Sequence, residues 1–193
     1  MGLVLITPPA SEPVTVDEAK QHLRVDGTED DAYISNVLIP AAREYCEGFQ
    51  NRAYVTQTWQ LWLDQWPETG YIAIPKSPLQ SVVGVKYYGT DDAEYIINAT
   101  DYFVDNKNEP GRLVLAYGRS WPTVTLRPAN GICVEFEAGY GDIAKVPQKA
   151  KHAMLMLIGH WFENREAALS GTISREIEFA VHALLWQDRV VPI

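Results

Sequence analysis

Cysteine is scarce in this sequence, with two in 193 residues, so a disulfide framework is not what holds it together. Cys46 falls on the apolar side of a predicted helix and Cys133 within a predicted strand, positions that suit reduced, packed thiols. No apolar run approaches the ~18 residues of a membrane span. The opening MGLVLITPPA is short and lacks the basic start of a signal peptide, so the expectation is a protein that stays in the cytoplasm where it is made, away from membranes. Basic runs are missing too. Residues 1–53 hold four Lys/Arg against nine Asp/Glu and residues 54–142 six against eleven, each a net −5, while residues 143–193 hold six against five, a net +1. A sequence-specific DNA binder draws most of its affinity from a basic face, and none is present. An acidic surface discourages sticking when a duplex must slide past, and it also keeps a protein soluble.

Catalytic patterns are equally sparse. The histidines are His22, His152, His160 and His182; His152 and His160 share a helix at a spacing too wide for an i, i+4 zinc pair, and there is no HExxH. Ser120 in GRSWP and Ser170 in LSGT lack the G-x-S-x-G elbow that lifts a nucleophile above a sheet. Gly139-Tyr140-Gly141 has no following Lys-Ser/Thr, so it reads as a turn with positive φ and not as a phosphate cradle. The carboxylate pairs Asp30-Asp31, Asp91-Asp92 and Glu135/Glu137 fall at a helix start, in a turn and on one strand face. The sequence therefore nominates no catalytic, cofactor or metal residue. The enzyme alternative it leaves is a small cytoplasmic hydrolase using Asp or Glu.

What the sequence does contain is 47% hydrophobic residues, enough to bury a core in one domain. Residues 1–14, with Pro8, Pro9, Ser11 and Pro13, read as an extended arm. Thr15 with Glu18 forms a capping-box pattern opening a helix to about Arg24, and Thr28 with Asp31 opens a second. The second helix carries Ile34, Val37, Leu38, Ala41, Ala42, Tyr45, Cys46 and Phe49 as an apolar stripe. Pro40 inside it predicts a kink, because proline removes an N–H and crowds the preceding turn. From Tyr54 the period changes to two: Trp59, Leu61 and Leu63 alternate with Thr58, Gln60 and Trp62. Further strands are predicted at 71–74, 82–88, 94–97, 102–104, 112–116 and 132–137, separated by Gly, Pro, Asn and Asp turns. Pro147 then suits a first helical position, and Ala150, Met154, Leu157, Ile158, Trp161 and Phe162 line one helix face. The small, polar stretch 167–175 is expected to be a mobile loop before a last helix at about 176–188.

The fold class expected is α+β: one domain over 1–193, with an N-terminal arm and helices (1–53), a β-rich insertion (54–142) and C-terminal helices (143–193), the terminal helices forming a small bundle. Trp62 lies on the opposite strand face from Trp59, and Trp66 follows just before a turn, so both are candidate interface anchors.

In this order the motifs resemble a known family. The Pro-rich start, EAK..LRVD, AAREY.E, Q-T-W, P-x-P-L-Q-S-V from Pro75 to Val83, AGYGD and GHW.ENREA are similar to those of the head-tail connector (adaptor) proteins of long-tailed bacteriophages and prophages. The resemblance covers nearly the full length. It implies a structural protein of the virion, assembled in the host bacterial cytoplasm, that forms a cyclic, twelve-fold ring beneath the portal and carries no catalysis or cofactor. The implied partners are further copies of itself, the portal protein, and a head-closure or tail protein, with DNA passing through the channel without specific binding; another tail-completion module is the neighbouring reading. Cyclic association needs two different, complementary patches per subunit. The residues the resemblance nominates for them are Trp62 and Trp66, Tyr140 of AGYGD, and Arg165 and Glu166 of ENREA. It also implies that the C-terminal region meets the portal, so that deleting 176–193 is expected to leave a folded subunit that no longer docks.

Overall fold

Helix starts and stops follow the local chemistry of the chain. The computed structural model describes the backbone of residues 1–165 and 173–191. Helix α1 (Val16–Leu23) opens with the expected capping box: the Thr15 hydroxyl accepts from the Glu18 N–H at 3.1 Å while Glu18 Oε2 accepts from the Thr15 N–H at 2.7 Å. It ends at Arg24, in the left-handed region at φ 56°. The second helix is built in pieces, α2 (Asp31–Tyr33), a π-helical turn (Ile34–Leu38) and α3 (Ile39–Gln50). It opens at Asp31 after Asp30, whose side chain makes no capping bond, so the predicted Thr28–Asp31 cap is replaced by a backbone turn, Asp31 N–H to Thr28 C=O. Pro40 sits in the first turn of α3. The wide turn lies directly before it, with the Ile39 N–H reaching back five residues to the Ile34 carbonyl, and this accommodates a ring that would crowd an ordinary turn.

Two compact units emerge, residues 1–9 with 56–140, and residues 10–55 with 141–191. In the helical unit, α4 (Gln148–Glu163) packs against α1, α3 and α5 (Ile173–Trp186). Pro147 stands one residue before α4, as its N-cap, with its carbonyl accepting from Ala150 and Lys151. Ala150, Met154, Leu157 and Ile158 are buried as predicted, while Trp161 and Phe162 are half-buried. Helix α5 starts at Ile173, so the expected loop over 167–175 gives way to helix in its last three residues; residues 166–172 lie outside the described residues. Helix α5 buries Val181 and Leu185 completely. The Gln50 amide donates to the Leu185 carbonyl at 2.8 Å, Asn51 to the Val190 carbonyl at 2.8 Å, and the Val190 N–H to the Gln50 carbonyl at 2.9 Å. Lys149 also pairs with Asp188. Removing 176–193 would strip the end of α3 of these partners, so the truncated subunit is expected to be less stable than the whole chain.

The β unit holds two antiparallel sheets. The larger runs β1-β2-β8-β4-β5, with β1 at Gly2–Thr7, β2 at Gln57–Leu63, β4 at Leu79–Tyr88, β5 at Glu94–Ile96 and β8 at Ile132–Ala138. The smaller runs β3-β7-β6, with β3 at Tyr71–Ala73, β6 at Tyr102–Asp105 and β7 at Arg112–Leu115. Every pairing is antiparallel. Strand β8 is central, and Ile132, Val134, Phe136 and Ala138 are fully buried on one face, in register with Leu63, Leu61, Trp59 and Gln57 of β2. Burying each large apolar side chain there contributes about 1.5–3 kcal/mol. The predicted arm is in part a strand: residues 2–7 pair with β2, Leu3 opposite Leu61 and Val4 opposite Gln60. The chain is thus a mixed α and β protein with antiparallel sheets.

Candidate interaction surface

Strand alternation sends Trp62 to the face of the larger sheet opposite its core, alongside Gln60 of β2, Cys133 and Glu135 of β8, Lys86 of β4 and Ile96 of β5. Polar partners on this face are matched. The Gln60 amide donates to Glu135 at 2.8 Å, the Ser81 hydroxyl to Glu137 at 2.8 Å, and Lys86 pairs with Glu94 at 3.1 Å. Glu94 also accepts from the Tyr88 hydroxyl at 3.0 Å. Lys86 and Tyr88 hold the Glu94 carboxyl below its ordinary range, and Glu94 in turn raises Lys86. Burial, with the bond to Glu94, raises Tyr88. Each carboxylate of this set is tied to an amide, hydroxyl or ammonium, which suits a structural face.

Above that face, Trp62 and Tyr88 stack with centroids 6.1 Å apart, and the Arg127 guanidinium lies 4.2 Å from the Tyr88 ring and 5.9 Å from the Trp62 ring. Arg127 is held by the carbonyls of Ala129 and Asn130 and by Asp92. Trp62 is therefore half-buried in its own subunit by a cation–π stack. Trp66 belongs to a different cluster. It stacks on Trp121 at 4.9 Å and meets Tyr87 edge-on at 5.7 Å, and Tyr87 stacks on Tyr95 at 5.1 Å. The Trp66 indole N–H is buried with no hydrogen-bond partner among the described residues. Trp62 and Trp66 thus do not form one patch: alternation and the turn after Leu63 send them to separate aromatic clusters.

Tyr140 is half-buried at the AGYGD turn, whose glycines both take positive φ, 131° at Gly139 and 96° at Gly141. That conformation is why glycine stands there. Arg165 lies in the helical unit, bonded to Asp30 at 2.7 Å and packed 4.8 Å from the Tyr33 ring and 4.9 Å from the Phe162 ring. It fastens α2 to the end of α4 while staying half-exposed. Glu166 lies outside the described residues. Both cysteines are buried free thiols, Cys46 pushed up to about 12 by burial and Glu47, Cys133 to about 11 by burial and Glu135. Among the described residues no three His, Cys, Asp or Glu side chains gather as a metal site, and no helix is long and apolar enough to cross a membrane.

Sequence reasoning missed a set of exposed apolar positions on the strands of the larger sheet. Val4, Leu5 and Ile6 on β1, Val83 on β4 and Ile96 on β5 all face solvent. The signal was GLVLIT itself, six uncharged residues rich in strand formers, masked by the Pro8-Pro9 that follows.

The fold has solved counterparts. A chain in the neck of an empty gene transfer agent particle, computed with C6 symmetry, aligns over 100% of this chain and 97% of that one with a TM-score of 0.81 and 22% identity. Similar chains occur in the virion of the native gene transfer agent particle (TM-score 0.79, 22% identity) and in the native particle's neck computed with C12 symmetry (0.78, 21%), at the same coverage. No curated protein matches the sequence. Residues 12–181 match the family described as HCP, head completion protein, and with most of its length inside that match, the chain belongs to the head completion protein family.

Proposed function

We propose that this head completion protein is a structural subunit of a phage-like particle that forms a cyclic, twelve-fold ring beneath the portal, extends the DNA channel, and presents a platform to the next head-closure or tail protein. The observation that carries this is the match of residues 12–181 to one family together with a full-length fold shared with neck chains of particles computed with C6 and C12 symmetry. On this reading all 193 residues act as a single connector domain, a small bundle of terminal helices (1–53 and 143–193) with a β-rich insertion (54–142). The subunit is made in the host cytoplasm and ends in the virion. It uses no catalysis, cofactor or membrane contact. Its net charge of −9 supports a channel through which DNA slides without specific binding. Trp62, Trp66, Tyr140, Arg165 and Glu166 are the proposed interface residues, the first four acting through the aromatic and cationic surface they leave exposed beside their own packing. Electron microscopy of the purified protein mixed with its cognate portal tests the reading: a ring coaxial with the portal is expected, and a portal left bare at saturating protein concentration would overturn it.

A further inference from the structure

The larger sheet ends in two different edges, β1 and β5, and neither is guarded. Edge strands in soluble proteins are ordinarily protected by lysine, proline, unpaired charge or a bulge that twists the strand away. Strand β1 carries no charge and no proline over its six residues, and its register shift comes only between Leu5 and Thr7, leaving 2–5 regular. Consecutive strand residues point to opposite faces, yet Val4, Leu5 and Ile6 are 46%, 40% and 46% exposed. The strand is therefore open on both faces. At the other edge Ile96 is 70% exposed and Val83, at a register shift in β4, is 58% exposed. Glu94, the one charge of β5, is already neutralised by Lys86 and the Tyr88 hydroxyl, so it does not repel an incoming strand.

The two edges also match face for face. Val4 pairs with Gln60, Gln60 with Glu135, and Ile96 with Lys86 across from Cys133, which puts Val4 and Ile96 on one face of the sheet. Leu3 and Tyr95 lie on the other, with Leu61 and Tyr87. Because four antiparallel steps separate β1 from β5, the two edge strands run in the same direction. In a twelve-fold ring each copy is turned by only about 30° from the last, so strand direction is kept from one copy to the next.

We propose that the β1 edge of each subunit adds to the β5 edge of the next copy, in parallel, setting Val4 opposite Ile96 on one face and Leu3 opposite Tyr95 on the other, so that the sheet continues from subunit to subunit. This rests on the ring reading above. It supplies the two distinct patches that cyclic association requires. Parallel pairing to a short strand is weak per contact, which suits subunits that join only when the portal aligns them.

The test uses the full-length chain on its portal. In the double variant Val4→Cys/Ile96→Cys, and separately Leu3→Cys/Tyr95→Cys, mild oxidation of the assembled ring should give a ladder of covalent multimers on a denaturing gel; the wild type, whose own thiols are buried, should give none. Val4→Lys and Leu5→Lys, which place a charge on the edge, should keep the monomer's circular dichroism and lower the ring yield at least tenfold; they decide the matter if a cysteine variant does not fold. Wild-type rings with neither ladder, or Lys variants that assemble like wild type, overturn the edge pairing and leave the ring reading standing. Equal cross-linking by Val4→Cys alone would show a two-fold β1–β1 contact and also overturn it. If the wild type forms no ring on the portal, both the reading and the pairing fall.

Discussion

Arg43 is a buried charge that ties together distant parts of the helical unit. It is almost fully buried on α3 and bonds Glu12 at 2.8 Å and Glu47 at 3.0 Å, while Glu47 also accepts from the Tyr54 N–H at 2.6 Å. Burial alone would lower the Arg43 pKa, but the bond to Glu12 and the charge of Glu47 outweigh it and raise it. Arg43→Ala removes a buried cation bonded to Glu12 and Glu47 and is expected to cost about 3–5 kcal/mol, read by urea denaturation; a loss below about 1 kcal/mol would show the network is not structural. In the β unit, Arg112, Asn108 and the Lys107 N–H hold the Asp105 carboxyl down at about 2, from an ordinary 3.8. A carboxylate that is harder to protonate folded than unfolded stabilises the fold above its ordinary range, and that contribution fades as pH falls toward about 2. Carbon-detected NMR titration should place the Asp105 midpoint near 2 in the wild type and return it toward the ordinary value in Arg112→Ala. None of this was legible in sequence. Arg43 and Glu12 are far apart in the chain, and Asp105 with Arg112 spans a turn whose register only the hairpin defines.

Helix α5 shows how one element serves two ends. Its inner side chains Val181 and Leu185 are fully buried against the helical unit, while Phe179 and Trp186, seven residues apart and so on one side of the helix, are largely exposed. Leu185→Ala should therefore cost about 2–5 kcal/mol of stability, whereas Phe179→Ala should change it by less than about 0.5 kcal/mol. Thermal denaturation of the two variants side by side checks the contrast, and equal losses would show that α5 is not oriented as described. The amphipathic pattern of this helix, like those of α3 and α4, could be read from spacing alone. Its anchoring could not, because Gln50, Asn51 and Arg52 reach the carbonyls of Leu185, Val190 and Asp188 from the far end of the sequence. For a related reason β1 read as an arm: GLVLIT has no apolar–polar alternation to mark it, and the strand it pairs with begins only at Gln57.

At the scale of the whole molecule, a net charge of −9 opposes association of identical subunits, and apolar edges favour it. Salt screens the first and leaves the second, with a Debye length of about 10 Å at 0.1 M shrinking to about 3 Å at 1 M. Free subunits are accordingly expected to be monomers or weak oligomers at micromolar concentration and low salt, with the assembled fraction rising as salt increases, measured by light scattering. A tight two-fold dimer insensitive to salt would contradict this.

What the sequence determined by itself were features set within a few residues: the Thr15–Glu18 capping box, the alternation of Ile132 to Ala138, the glycine turn at 139–141, the buried stripe of α4, and the burial of both thiols. These follow from local geometry, because helical and strand periods and left-handed turns are imposed by neighbours in the chain. The order of motifs also carried the family. Only the tertiary structure decided that residues 2–7 close the sheet as an edge strand, that Trp62 and Trp66 belong to separate clusters, that Arg165 is wedged between Tyr33 and Phe162, and that Val4 and Ile96 share one face. Each of these depends on pairing between distant segments, and a shift of one residue in that pairing would turn every side chain of the strand to the other face.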